Sequence, residues 1–371
     1  MRILVLGGYG LFGSRISRTL AGDADLTVIV AGRDRARADA LIASFDAPRA
    51  QVEAAAIDTT AHDFGERLAA LRPDVVIDTA GPFQGRDHRV AETALSVGAH
   101  CIDLADGRDY VAGIGALEAA AQRAGRWVIS GASSVPALHA AAIDAHLHRF
   151  SRLQHVESAI APGNRTPRGW ATTLSILGYV GRPFRILRDG RPETAYGWQS
   201  LRRLHVPGVG ARWVARCDVP DLDLLPARYP DLRALEFRAG LELRRMHFGL
   251  WLASWTVRLG LLRSLVPLAK PLFAMSEWWQ QIGSDTGFMQ VSMHGLDHDR
   301  TPLRLDWTLV ARNGDGPQIP ATAAIVLVRK LARGALPGSG AVPCLGLFTL
   351  DEFMTALEGF AIAATLRENK A

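Results

Sequence analysis

The chain opens on MRILVLGGYGLFG, and this stretch limits the fold more than any other. Residues 2–6 are a short apolar run of strand type. The run passes directly into Gly8-Tyr9-Gly10-Leu11-Phe12-Gly13, with its glycines spaced G-x-G-x-x-G. Behind them Ile16 and Leu20 share one helical face. A strand, a glycine turn and a helix in that order form half of a βαβ unit whose turn cradles a dinucleotide pyrophosphate. Gly8 is expected to permit the turn, Gly10 to let a phosphate reach bare backbone, and Gly13 to bring the helix onto the strand. The leading amides of the helix and its positive dipole end would face the phosphates.

Residues 26–31 read as a second buried strand ending in Gly32-Arg33-Asp34. An NAD site places an acid at this strand end to accept the ribose hydroxyls. Here Arg33 offers a cation instead, which suits a 2′-phosphate, so NADP(H) is the expected cofactor. Asp34 has the chemistry of a helix N-cap. Strands over 52–57, 75–78, 100–104 and 127–130 alternate with helices over 64–71, 91–97 and 117–124. That alternation predicts a doubly wound parallel sheet of Rossmann type. Ligands in such sheets lie at the carboxyl ends of the strands. Asp58 is therefore expected beside the adenosine or as a local cap, and Thr79-Ala80-Gly81-Pro82-Phe83 at the nicotinamide half.

The runs GGYGLFG, AGRD, DTAGPFQG, GAHCIDLADGRDYV and GASSVPALHAAAID, in that order, resemble the NADP-binding domain of the saccharopine dehydrogenase family. The likeness is to its bacterial saccharopine dehydrogenase-like oxidoreductases. APGNRTPRG, GSDTG and GAVPCLGLFTLDEF extend the resemblance along the rest of the chain. The resemblance implies that Gly8, Gly10, Leu11, Phe12 and Gly13 hold the pyrophosphate, with Tyr9 in the same turn. It places Arg33 near the adenosine phosphate and Ala80, Gly81 and Pro82 at the nicotinamide. It further implies an NADP(H)-dependent oxidoreductase that moves hydride to or from an imine, carbonyl or activated alkene. The substrate is left open.

A length of 371 residues suits two domains. The pattern predicts a Rossmann domain over 1–135 and a second, α+β domain over 136–348 for substrate or dimer contacts. A last helix over 349–368 is expected to return to the first domain. Strands over 156–161, 288–294, 303–310 and 321–328 and a hairpin around Gly190 predict a mostly antiparallel sheet. Residues 220–229 read as loop-rich. The loop 162–169 carries Arg165 and Arg168, a candidate clamp for a substrate carboxylate or else a solvated connection. Residues 246–279 are strongly apolar and hold four of the nine tryptophans. Arg258, Arg263, Lys270, Pro267 and Pro271 interrupt the segment too often for a membrane span. Three readings stand for it: a buried helical pair or dimer face, a lid over an apolar substrate, or a helix lying at a membrane surface.

The formal net charge of +5 comes with no basic tract interleaved with aromatics, so no nucleic-acid partner is expected. Cys101, Cys217 and Cys344 are too scattered for a zinc motif, which suits a reducing, cytoplasmic setting. No leader is expected, because strand character begins at residue 2. His294 and His298 have metal-like spacing but lack a third ligand, so no metal is expected. No tyrosine is followed four residues later by lysine, which excludes the short-chain dehydrogenase arrangement, and the first lysine is Lys270. The catalytic candidates are Asp106 and Arg108 after the fifth strand and His139 after Pro136. The alternatives are a non-catalytic nucleotide-binding protein that docks on a membrane or partner through 246–279, or a reductase of lipid-like substrates.

Overall fold

The computed structural model describes residues 1–370. The chain divides into two compact units, Met1–Leu138 with Pro317–Ala356, and His139–Gly316 with the residues from Leu357 onward.

In the first unit β1 (Arg2–Leu6), α1 (Gly13–Leu20), β2 (Thr27–Gly32), α2 (Arg35–Ala43) and β3 (Gln51–Ala56) follow in order. Next come α3 (Phe64–Leu71), β4 (Val75–Asp78), α4 (Arg89–Ser96) and β5 (His100–Asp103). The first pass ends with α5 (Arg108–Ala112), α6 (Glu118–Ala124) and β6 (Trp127–Ser130). These strands are continuous apolar runs because helices cover both faces of the sheet. Leu4, Ile29 and Val76 form part of a core with Phe64 of α3 and Val90 of α4.

The second unit holds α7 (His139–Leu147), β7 (Arg152–Ala161), α8 (Trp170–Tyr179) and the hairpin β8 (Pro183–Arg188) to β9 (Arg191–Tyr196). It continues with β10 (Arg202–Val206), β11 (Gly210–Arg216), α9 (Asp221–Arg228) and β12 (Ala234–Ala239). Then follow α10 (Arg244–Arg258), α11 (Ala269–Trp278), β13 (Gly287–Leu296) and β14 (Pro302–Ala311). The chain re-enters the first unit for α12 (Gln318–Ala332), β15 (Gly340–Pro343) and α13 (Leu350–Thr355), and closes with β16 (Ile362–Lys370) in the second.

The first sheet runs β15-β6-β5-β4-β1-β2-β3, with parallel neighbours throughout. Strand order reverses between β1 and β4, and this is the switch point at which such sheets open a crevice. The second sheet runs β10-β11-β12-β7-β13-β14-β16, with β8 and β9 beside β12. Of its pairs only β12 with β7 is parallel among the described residues.

Three expectations change. Residues 321–328 are not a strand but the middle of α12, buried all round. A helix buried on every side carries no 3.6-residue signature, and its Ile and Val content mimics a strand. The segment 317–348 therefore clusters with the first unit, where Arg329 pairs with Asp23 at 2.9 Å and the Gln318 amide donates to Thr19 Oγ1 at 3.3 Å. The last predicted helix is only α13, capped by Thr349 and Glu352 in a reciprocal box. Gly359, at φ +91°, lies beyond its end, and β16 then pairs antiparallel with β14. Residues 220–229 form α9 despite Pro226.

Candidate active site

The turn after β1 is built at the switch point. Gly7, not Gly8, takes the left-handed backbone, at φ +71°. The conformational demand lies one residue earlier than the spacing predicts. Gly8 is small for a different reason: an added Cβ would meet the Val5 carbonyl oxygen at 2.8 Å and the Ala31 nitrogen at 3.1 Å. A Cβ on Gly13 would overlap the Gly7 carbonyl oxygen and stand 2.8 Å from Thr79 Oγ1. At Gly10 only the Gly7 oxygen lies within 4 Å of such a carbon, so the outer side of the turn is open to an anion. The Ser14 amide donates to Gly10 and those of Arg15 and Ile16 to Phe12. The amides of Leu11, Phe12 and Gly13 precede that of Ser14, the first to donate within the helix. This cradle fits a pyrophosphate.

Tyr9 leans from the turn over the end of β2. Its hydroxyl accepts the Asp34 amide at 3.0 Å, and its ring packs so closely on Gly32 that a Cβ there would collide. Asp34 caps α2 by accepting the Arg37 amide at 3.3 Å. The Arg37 guanidinium lies 4.7 Å above the Tyr9 ring. Arg33 and Arg37 are both exposed here. Asp58, at the end of β3, accepts the Thr60 amide and hydroxyl at 2.9 and 2.8 Å. Those bonds hold its carboxyl below the usual range, with Arg33 adding to the effect. Arg37 escaped sequence reasoning; its one signal is the basic pattern of GRDRAR.

The loops after β4 and β5 meet. The Thr79 hydroxyl donates to the Leu6 carbonyl at 2.7 Å, tying β4 to the end of β1. Gln84 Nε2 donates to Asp106 Oδ1 at 3.0 Å. Gly107 allows this approach, since a Cβ there would stand 3.2 Å from the Phe83 carbonyl carbon. Phe83 packs on Tyr110 at 5.3 Å between ring centroids. Arg86 Nη1 donates to the Ala80 carbonyl at 2.9 Å, fixing the loop from above. Arg108 is the first residue of α5. Asp106 and Arg108 thus share the carboxyl edge of the sheet with the 79–83 loop.

Beneath these loops lie two buried carboxylates that motif reading left without a role. Asp78 and Asp103 end adjacent strands in direct register. Asp103 Oδ1 accepts Ala105 N, Ser130 Oγ and Gly131 N, each at 2.9 Å, and Asp78 Oδ1 accepts Ala80 N at 2.8 Å. The second oxygen of each carboxyl is buried with no hydrogen-bond partner. Burial pushes Asp103 up to about 7 against its three donors, and the neighbouring Asp78 adds to the rise. Burial raises Asp78 as well, opposed by Arg86 at 3.8 Å. An unfolded Asp titrates at about 4. Folding therefore takes up a proton between the two values, and stability should fall as pH rises from about 4 to about 7, then level off. Denaturant titrations at a series of pH values should show that slope, and Asp103→Asn should flatten it. An equally steep slope in the variant would reassign it to another group.

The second-unit candidates occupy different settings. His139 is fully buried. Its Nδ1 lies 2.5 Å from Asp221 Oδ1 and its Nε2 2.6 Å from Ser158 Oγ, both of them buried too. With both ring nitrogens engaged and no face open to substrate, His139 ties α7, α9 and β7 together and is not an exposed proton donor. Asp221→Ala should cost about 3 kcal/mol in denaturant unfolding, the range for breaking a buried pair, while NADPH affinity stays within about two-fold. A comparable loss of NADPH binding would contradict this purely structural role. Arg168 is no free clamp either. Its Nη1 donates to the Ser276 carbonyl at 3.0 Å and its Nη2 to the Asn164 carbonyl at 3.0 Å, so it braces the loop on α11. Glu242, which sequence reasoning passed over, accepts the Asn164 and Ser284 amides at 2.7 and 3.0 Å and organises the same loop. Arg165 remains exposed.

The switch-point crevice and the glycine cradle define a dinucleotide-binding unit, with two exposed arginines after β2. Residues 3–131 match the family described as the saccharopine dehydrogenase NADP binding domain, so this part of the chain is saccharopine dehydrogenase-like and its dinucleotide is NADP. No curated protein sequence matches the chain significantly. Among solved structures it resembles the apo, histidine-tagged saccharopine dehydrogenase (L-Glu forming) from Saccharomyces cerevisiae. Identity there is 15%, with 99% of each chain covered and a TM-score of 0.70. It also resembles an amine dehydrogenase from Mycobacterium smegmatis, at 12% identity over 95% of each chain and a TM-score of 0.52. At such identities the likeness is one of fold.

Proposed function

We propose that the protein exchanges hydride between NADP(H) and a small molecule at a carbon–nitrogen bond, as an imine reductase or the reverse amine dehydrogenase. Carbonyl and activated alkene substrates are the neighbouring alternatives. The observation that carries this reading is the meeting of the 79–83 and Asp106–Arg108 loops at the carboxyl edge beside the glycine cradle. The names of the two full-length fold relatives, a saccharopine and an amine dehydrogenase, favour the carbon–nitrogen bond.

When bound, the nicotinamide supplies the hydride, and the protein has to supply position and a proton. The turn from Gly8 to Gly13 would hold the pyrophosphate, and Arg33 with Arg37 would receive the 2′-phosphate. Ala80, Gly81 and Pro82 would border the nicotinamide, on a loop held in place by Phe83 packed on Tyr110. Asp106, oriented by Gln84, holds the proton exchanged with the substrate nitrogen, and Arg108 meets an anionic substrate group.

The test is NADPH oxidation against a panel of imines, ketones and enones with the purified protein. An imine should be turned over, and Asp106→Asn should lower kcat about 100-fold with NADPH affinity unchanged. NADPH binding without turnover across the panel would favour the non-catalytic alternative. Turnover unaffected by Asp106→Asn would move the proton to another group.

A further inference from the structure

The segment 246–279 is neither buried nor a span. Among the described residues no helix is long and apolar enough to cross a membrane. The Arg245 guanidinium near the start of α10 lies 4.8 Å over the Trp279 ring just past the end of α11, and α11 sets Phe273 against Trp170 of α8 at 5.5 Å between ring centroids. An ordinary surface helix buries its apolar stripe, whereas α10 and α11 leave large apolar side chains exposed. The buried face of α10 carries His247, Ser254 and Val257, and that of α11 carries Ala269 and Ser276. The outward faces carry Leu252, Met275 and Trp278, the last 78% exposed. The connection between the helices adds Leu259, Leu261 and Leu262, with Leu261 74% exposed. So many large apolar side chains on one exposed element mark an interaction surface.

Charge selects the partner. Residues 244–282 contain five cations, Arg244, Arg245, Arg258, Arg263 and Lys270, against the single acid Glu277. In a two-fold contact with a second copy the patch would meet itself and set cation against cation. An anionic bilayer reverses the sign of that term. It accepts leucines and a terminal tryptophan at the headgroup boundary while the basic groups meet lipid phosphates. We propose that the α10–α11 segment docks the protein on an anionic phospholipid surface, lying in the interface without crossing it.

The test is cosedimentation of the full chain with phosphatidylglycerol–phosphatidylcholine vesicles and with pure phosphatidylcholine vesicles. Binding is expected to the anionic vesicles alone and to weaken with added salt. Trp278→Glu and Leu261→Glu should each weaken it about ten-fold or more, with the melting temperature and NADPH affinity unchanged. Lys270→Glu should weaken it without removing apolar surface. Absence of vesicle binding, or equal binding by wild type and all three variants, would overturn the proposal. So would a concentration-dependent dimer abolished by the same substitutions, which would assign the face to a second copy.

Discussion

Gly13→Ala should weaken NADPH binding about 100-fold, equivalent to about 2.7 kcal/mol. The added carbon has nowhere to go. It overlaps the Gly7 carbonyl oxygen, stands 2.8 Å from the Gly7 carbonyl carbon and also 2.8 Å from Thr79 Oγ1. Two of these atoms are backbone, and the third is held by its bond to Leu6. Helix α1 must then lift from the turn, which moves the amides of Leu11 to Gly13 from the positions that face a pyrophosphate. Overpacking of this kind also costs about 1–3 kcal/mol of stability. Gly115→Ala is the control, because nothing lies within 4 Å of its added carbon. Fluorescence titration and thermal melting read both effects. An affinity within about three-fold of wild type would show that the turn does not hold the cofactor.

Arg33→Asp should weaken NADPH about 30-fold and leave NADH nearly unchanged. A hydrogen bond to a charged group contributes about 1.5–3 kcal/mol, and that contribution exists only when the 2′-phosphate is present. The substitution also places a carboxylate near Asp58, whose charge Arg33 now favours. Arg37→Ala should act in the same direction with a smaller effect, since its guanidinium lies against Tyr9. Parallel titrations with the two nucleotides distinguish the cases. Equal losses for NADPH and NADH would mean that Arg33 supports the turn and does not read the phosphate.

The legible parts of this chain are those whose chemistry is local. The turn from Gly7 to Gly13, the alternating strands and helices to β6, the β8–β9 hairpin and the Thr349 cap each depend on residues a few positions apart. The same locality explains the one-residue error at Gly8. Spacing marks which glycines are needed, while the backbone angle of the turn decides which of them is left-handed. Arg168 and His139 show the converse. Arginine beside glycine and proline suggested a substrate clamp, and histidine after proline suggested a proton donor. Whether such a side chain is spent internally depends on Ser276, Asp221 and Ser158, far away in sequence.

By itself the sequence determined a parallel sheet of nucleotide-binding type, the glycine turn after its first strand, a cation at the end of β2 and a second unit with a mostly antiparallel sheet. These follow from short-range sterics, periodicity and charge. Tertiary structure alone decided that 318–332 is a buried helix, that β16 completes the second sheet, and that Asp78 and Asp103 lie side by side under the cofactor loops. It also decided that Leu252 of α10 and Met275 and Trp278 of α11 point outward. For the apolar segments among these the physical reason is the same. A run of apolar residues records that its surface avoids water, but not which distant segment, or which external surface, removes it from water.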